Sequence, residues 1–354
     1  MDYCKFIVRM CFFCLVLAGV ALFLYSSHFT RAIAYEKSIN VLVWPTELDP
    51  EFIADFEKQT GIKVYFSYVE TNEEVLAKLR LSRLDNYDLI MASDYMIEQM
   101  VCNKLVQPLS KNEFRHWASL YPQLCNCYFD RDNRYSIPFF WDVYGLCLDT
   151  QYIAPGDAQE VGWGLIFDSS KIVGSIGMIE DYREAVILAG VYLWQNTNVL
   201  ESLQDLSVIR DLLRNQKKWV ARYTDARAGS LIASQVVKCA VTISTDIVRL
   251  QPYHKNIAFV VPNHGKFMII DSFAIPAATS KQEYVYQFLN YIYNPQVLQS
   301  YANKHTLRTA RRDVQSAMIT DGLVPDQTFM SQMTFFRTCI PEDQLAQLWI
   351  SVLS

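Results

Sequence analysis

The sequence carries none of the short motifs that mark common enzyme chemistries. It has no G-x-G-x-x-G, no G-x-x-x-x-G-K-[ST], no H-E-x-x-H and no G-x-S-x-G. Its histidines, His28, His116, His254, His264 and His305, are scattered, which leaves a ferric or zinc cluster without local support. Beyond the N-terminal segment no Cys-x-x-Cys pair has zinc spacing, and Cys125-x-Cys127 alone is a weak metal signal. There is no basic excess of the kind a nucleic-acid binder shows: the net charge is −5. No repeat or low-complexity tract interrupts the chain. With 51% hydrophobic and 19% charged residues, the composition is that of an ordinary globular protein rather than a disordered one. The 354 residues suffice for two domains, or for one bilobal unit with a core in each half.

The first apolar run is too short for a comfortable bilayer span. Lys5 and Arg9 precede an uncharged stretch from Met10 to Tyr25, against the roughly 20 apolar residues a spanning helix needs. Ala32-Ile33-Ala34 has the small-x-small form that signal peptidase accepts. Met1–Ala34 therefore reads as a secretory signal cleaved after Ala34. An uncleaved membrane anchor is the alternative, and the N-terminus of the mature protein distinguishes the two. Cys4, Cys11 and Cys14 fall inside this segment; Cys102, Cys125, Cys127, Cys147, Cys239 and Cys339 remain. In an oxidising compartment some of these can pair, and the alternative is that several serve as small buried hydrophobes.

After Ala34 strands and helices alternate. Ile39–Val43 is a short apolar run, Asp49-Pro50 offers a cap and a first-turn proline, and Gly61 a helix stop. Ile62–Tyr68 is β-branched and aromatic. Asn72 is placed to cap the next helix, Tyr87–Met91 reads as a third strand, and Ser93–Val101 begins another helix. This order implies a parallel sheet with helices on its faces. In such sheets ligands bind beyond the carboxyl ends of the strands. Trp44 follows the first strand and Ser93-Asp94-Tyr95 the third, so these residues are expected at one edge. In the middle region Gly174–Ile179 leads into Asp181-Tyr182-Arg183-Glu184 and an apolar helix. Ala240–Ile243, Ile257–Val261 and Ser272–Ile275 read as strands, and Lys281–Tyr293 as a helix.

These residues, in this order, resemble the spermidine/putrescine-binding proteins, the periplasmic receptors of polyamine ABC transporters. The carriers are Val43-Trp44, the run Phe56–Val64, Tyr87-Asp88-Leu89-Ile90 with Ser93-x-Tyr95, and Tyr135-Ser136-Ile137-Pro138 with Trp141. Gly174-Ser175, Asp181-x-Arg183-Glu184 and Asp271-Ser272-Phe273-Ala274-Ile275-Pro276 complete the set. The resemblance implies an α/β, two-lobed periplasmic-binding-protein fold of type II. Each lobe would be a mostly parallel sheet flanked by helices, with crossovers near Phe139–Leu146 and Val261–Phe267. The first lobe would comprise 35–138 plus 270–304 and the second 139–269 plus 305–354. The function implied is an extracytoplasmic receptor that binds putrescine or spermidine between the lobes. It would deliver the ligand to an inner-membrane ABC transporter permease, as a periplasmic monomer without cofactor, metal, nucleic-acid partner or enzymatic activity.

A polyamine is a string of ammonium groups on methylene spacers. Its site needs carboxylates, because a buried charge left unpaired costs about 3–5 kcal/mol. It also needs aromatic walls, each worth roughly 0.5–2 kcal/mol to a cation. By the resemblance the ligand-binding residues are Trp44, Glu47, Ser93, Tyr95, Asp181, Glu184 and Asp271. Read alone, Asp181 and Glu184 are acids at a helix start, which the helix dipole favours in any case. Trp141 lies at the hinge, where its role can be structural or cleft-facing. The pattern departs from the family at Ser244, Ile269 and Leu307, where aromatic side chains are usual. Asp246 is positioned to add a carboxylate. These departures leave the amine open, and leave a different solute on the same scaffold (iron, thiamine or another amine) or a membrane-tethered amine sensor as alternatives. A catalytic use of the acid pair finds no accompanying nucleophile or metal cluster.

Overall fold

The computed structural model describes residues 37–354 apart from 46, 47, 49, 82–86, 195–202, 226, 227, 320, 338 and 339. The signal or anchor segment, Glu47 and Cys339 therefore lie outside the described residues.

The first half follows the strand–helix alternation: β1 (Ser38–Val43), α1 (Pro50–Thr60), β2 (Lys63–Tyr68), α2 (Asn72–Leu81), β3 (Leu89–Ser93) and α3 (Asp94–Cys102). β1 pairs in parallel with β2 and with β3. All of β3 is buried, as an apolar strand covered on both faces requires. Gly61 ends α1 at φ +69°, a left-handed position that glycine occupies without a Cβ clash. The expected cap of α2 is displaced by one residue. Thr71 Oγ1 accepts from the Glu74 amide at 3.2 Å, while Asn72 turns its side chain to Ser93.

A long strand then crosses the molecule. β4 (Ser136–Asp149) is buried throughout. Its first part pairs antiparallel with a later strand, β9, and its second part with β7 and β8. The intervening elements are α4 (Pro155–Val161), α5 (Gly164–Phe167), β5 (Ile176–Ile179), α6 (Tyr182–Trp194), α7 (Leu203–Gln216) and β6 (Val220–Thr224). They continue with α8 (Gly229–Ala233), β7 (Cys239–Ile243), α9 (Ser244–Leu250) and β8 (Ile257–Val260). β5 pairs in parallel with β6 and β7. β9 (Lys266–Ala274) returns to the first half, antiparallel to both β3 and β4. α10 (Gln282–Ile292), α11 (Pro295–His305), α12 (Gln327–Gln332), β10 (Met333–Thr334) and α13 (Glu342–Leu353) complete the chain.

Two large apolar cores result, one in each lobe. The first runs from Ile39 to Val143 and resumes at Met268; the second begins at Tyr144, includes Phe267 and closes with Phe336 to Val352. The chain thus changes core between Val143 and Tyr144 and again between Phe267 and Met268. Val143 and Met268 are register partners, so the two crossings lie side by side. The tail is divided: Leu307, Ala310 and Val314 pack in the first core, although 305–354 was expected wholly in the second lobe. The reason is backbone pairing, since the Trp141 amide donates to the Arg308 carbonyl at 3.0 Å and that of Ala310 to Phe139 at 2.7 Å. The cysteines Cys102, Cys125, Cys127, Cys147 and Cys239 are free thiols. Burial pushes Cys125 up to about 11 and Cys239 to about 12, which suits packing rather than reactivity.

Candidate functional site

In the first lobe the site is built where β1, β3 and β9 meet. Ser93, the last residue of β3, is the register partner of Asp271 on β9. Its hydroxyl donates to Asp271 Oδ1 at 2.8 Å. Asn72 holds Ser93 in place: its Oδ1 accepts the Ser93 amide and its Nδ2 donates to the Ser93 hydroxyl, both at 3.2 Å. The Trp44 indole, just past β1, also donates to the Asp271 carboxylate. Asp271 is only 8% exposed. Burial raises its pKa to about 6, against the two hydrogen bonds that favour the charge, and nearby Asp142 adds to the rise.

The second lobe supplies Asp181 and Glu184 at the start of α6, just beyond the carboxyl end of β5. Asp181 Oδ1 accepts the Glu184 amide at 3.0 Å, an N-cap bond. Its Oδ2 accepts the Tyr95 hydroxyl of the first lobe at 3.1 Å. Glu184 is buried, and the Tyr144 hydroxyl lies 2.8 Å from both of its oxygens. Burial first, then the charge of Asp181, hold the Glu184 carboxyl well above the usual range. Asp181 is raised too, chiefly by burial.

A further acid comes from the opposite lobe. Glu73, in the first turn of α2, has its pKa raised to about 7 by burial and then by Asp181. Its Oε1 is buried and has no hydrogen-bond partner among the described residues. The neighbouring cation is committed elsewhere: Arg183 ion-pairs with Glu342 and lies 4.7 Å from the centre of the Tyr95 ring. Glu342 in turn accepts Gln99 of α3 at 3.1 Å. The result is an acid cluster drawn from both lobes with its oxygens largely withdrawn from water.

These groups share one cavity of about 670 Å³ between the lobes. Of the residues expected from sequence, Trp44, Ser93, Asp181, Glu184 and Asp271 line it. Tyr95 stands behind Asp181, 2% exposed, and reaches the site through that carboxylate. Ile269 and Leu307 line the wall as aliphatic groups. Ser244 instead donates to Asp142 Oδ1 at 2.5 Å. Asp246 does not join the acid cluster. It accepts the Gly229 amide at 2.7 Å and the Thr242 hydroxyl at 3.2 Å, fixing the start of α8. Trp141 lines the cavity and is anchored by its indole donating to the Thr309 carbonyl at 3.2 Å. Sequence reasoning missed Glu73, Tyr144, Asp142 and Arg308, all of which line the cavity. A first-turn glutamate reads as a dipole-complementing acid. Asp142, next to Trp141 in a crossover run, was the one polar break that could have drawn notice.

The arrangement can neutralise cationic groups at two points, around Glu73, Asp181 and Glu184 and at Asp271, with the Trp44 ring beside the second. Among the described residues no group of three or more histidines, cysteines or acids is arranged to hold a metal ion.

The chain is 24% identical over 284 residues to the putrescine-binding periplasmic protein PotF of Escherichia coli, covering 75% of each. It is 26% identical over 294 residues to a spermidine/putrescine-binding periplasmic protein of Salmonella typhimurium, covering 82% of this chain and 83% of that one. Among solved structures, the spermidine/putrescine ABC transporter substrate-binding protein PotD of Streptococcus pneumoniae superposes with a TM-score of 0.73 at 21% identity. It covers 90% of this chain and 98% of its own. A ferric binding protein of Campylobacter jejuni shares the fold as well, at a TM-score of 0.66 and 14% identity over 89% of this chain and 99% of its own, so the scaffold alone does not name the solute. The model for bacterial extracellular solute-binding proteins matches residues 51–325, and the chain belongs to that family.

Proposed function

We propose that this protein is an exported receptor that binds a polyamine of the putrescine or spermidine class between its lobes. It hands the amine to the permease of an ABC transporter and performs no chemistry on it. The observation that carries this reading is the acid cluster: Glu73 from one lobe meets Asp181 and Glu184 from the other, and Asp271 lines the same cavity. Carboxylates crowded out of water repel one another and take up protons. A flexible cation relieves that repulsion, and Trp44 supplies an apolar and π face for the intervening methylenes. The printed functions of the relatives support the same ligand class. The family supports an extracytoplasmic location; a periplasmic monomer working with an inner-membrane permease is the form this reading takes.

Titration calorimetry of the purified mature protein with putrescine and spermidine tests it. Saturable binding of at least one amine, lost in high salt far less than for a surface site because the pairs are buried, is expected. Folded protein that shows no heat with either at millimolar concentration would remove the polyamine assignment while leaving the receptor class standing.

A further inference from the structure

The cavity wall at the crossover holds a cation of the protein's own. Arg308 lines the cavity and its side chain is fully buried. Its guanidinium carbon lies 5.2 Å from the centre of the Trp141 ring, and its Nε is 3.7 Å from Asp142 Oδ1. Nε donates to the Ser244 hydroxyl at 3.0 Å, and Nη2 pairs with Asp321. An aromatic face and a buried carboxylate are the two things an ammonium group asks of its seat. Here both are already engaged by Arg308.

Asp142 has no spare capacity for a ligand. Its Oδ1 accepts the Ser244 hydroxyl at 2.5 Å and the Val143 amide at 2.7 Å. Its Oδ2 accepts the Thr245 amide at 3.2 Å and the Thr245 hydroxyl. A carboxylate offers about four acceptor positions, so Asp142 is saturated. Ile269 and Leu307, which also line the cavity, are aliphatic and add no further π face.

We infer that Arg308 occupies, from the protein itself, the seat a third ammonium would need, so that this cleft selects diamines over triamines and tetramines. The two remaining seats withdrawn from water are the Glu73, Asp181 and Glu184 cluster and Asp271 with Trp44; of the other acids of the lining, Glu70 and Glu180 are exposed and Asp225 is half-buried. Charge rather than size is the filter, since about 670 Å³ is ample for the longer amines. A third ammonium driven into this wall would meet a fixed positive charge and a carboxylate with no free lone pair. This inference rests on the amine-receptor reading above.

The experiment is calorimetric titration of the full mature chain with putrescine, cadaverine, spermidine and spermine, for the wild type and for Arg308→Met. The wild type is expected to bind one of the diamines at least about a hundredfold more tightly than either longer amine, the penalty of an unpaired buried charge. Arg308→Met is expected to shrink that ratio to within about tenfold. Should the methionine variant fail to fold by circular dichroism, Arg308→Gln keeps a donor for Ser244 without the charge and takes its place. Wild type binding spermidine as tightly as putrescine overturns the inference, as does an unchanged ratio in the variants, and either leaves the amine receptor intact. Silence toward all four amines removes the amine reading itself.

Discussion

The Tyr95 hydroxyl donates to Asp181 Oδ2 across 3.1 Å, and the two residues belong to different lobes. Tyr95 sits on α3 directly after β3; Asp181 caps α6 directly after β5. One hydrogen bond thus joins the helix that follows a strand of the first sheet to the helix that follows a strand of the second. The stacking of Arg183 over the same tyrosine ring and the bond from Gln99 to Glu342 run parallel to it. The contact between the lobes and the orientation of the Asp181 carboxylate are therefore set together.

Tyr95→Phe keeps the ring under Arg183 and removes only the hydroxyl. A hydrogen bond to a charged group contributes about 1.5–3 kcal/mol, so amine affinity should fall by about tenfold to a hundredfold. Small-angle scattering should show the variant less compact than wild type at the same amine concentration. Unchanged affinity and compactness would mean that the bond is incidental to closure.

Asp271→Asn preserves shape and an acceptor for Ser93 and Trp44 but removes the charge. Losing one partner of a desolvated ion pair costs about 3–5 kcal/mol, so affinity for an amine should drop by a hundredfold or more. Glu47→Ala, at a position linked to the ligand only through family resemblance, should cost far less. Calorimetry on both variants ranks them, and equal losses would show the ranking to be wrong.

The site should respond to pH in a defined direction. Burial raises Asp271 to about 6 and, with Asp181, Glu73 to about 7. Both values lie above those of the unfolded chain, so the native state holds more protons across this window, and the stability of the amine-free protein should fall as pH rises from about 4 to about 7. An ammonium needs these groups ionised, so affinity should rise over the same range and binding should release protons. Titrations at pH 7 or below in buffers of different ionisation enthalpy read that release directly. Proton uptake on binding would contradict the assignment.

Gly145, two residues past Val143 in β4, tests the close packing of the second sheet. A Cβ there would lie 2.5 Å from the Val260 carbonyl oxygen and 2.5 Å from the Phe259 ring. The backbone oxygen cannot swing aside, so Gly145→Ala should destabilise by about 1–3 kcal/mol. Chemical denaturation measures it, and a stability within error of wild type would mean that β8 shifts freely.

Local signals went far toward the site. Trp44 and Asp181 follow strand ends and Ser93 closes one, and a parallel sheet gathers such positions at one edge. Glu184 lies three residues beyond Asp181 on the same helix start, and the helix carries it along. Asn72 has the residue type of a helix cap. The helix took Thr71 for that role, and the freed amide side chain became the clamp on Ser93. Glu73 looks like any acid at a helix start, and only the approach of the second lobe puts Asp181 beside it. Arg308 lies in a tail segment whose place follows from a backbone bond to Trp141, far away in sequence.

What the amino-acid order decided by itself was the alternation of elements, the sheet edges and the residues waiting at them, because strand and helix periodicity and capping act over a few residues. What tertiary structure alone decided was which charges face one another. The meeting of Glu73 with Asp181, the saturation of Asp142 and the insertion of Arg308 against Trp141 depend on long-range pairing of β4, β9 and the tail. Electrostatic strength depends on burial and distance, and neither exists until the two lobes have come together.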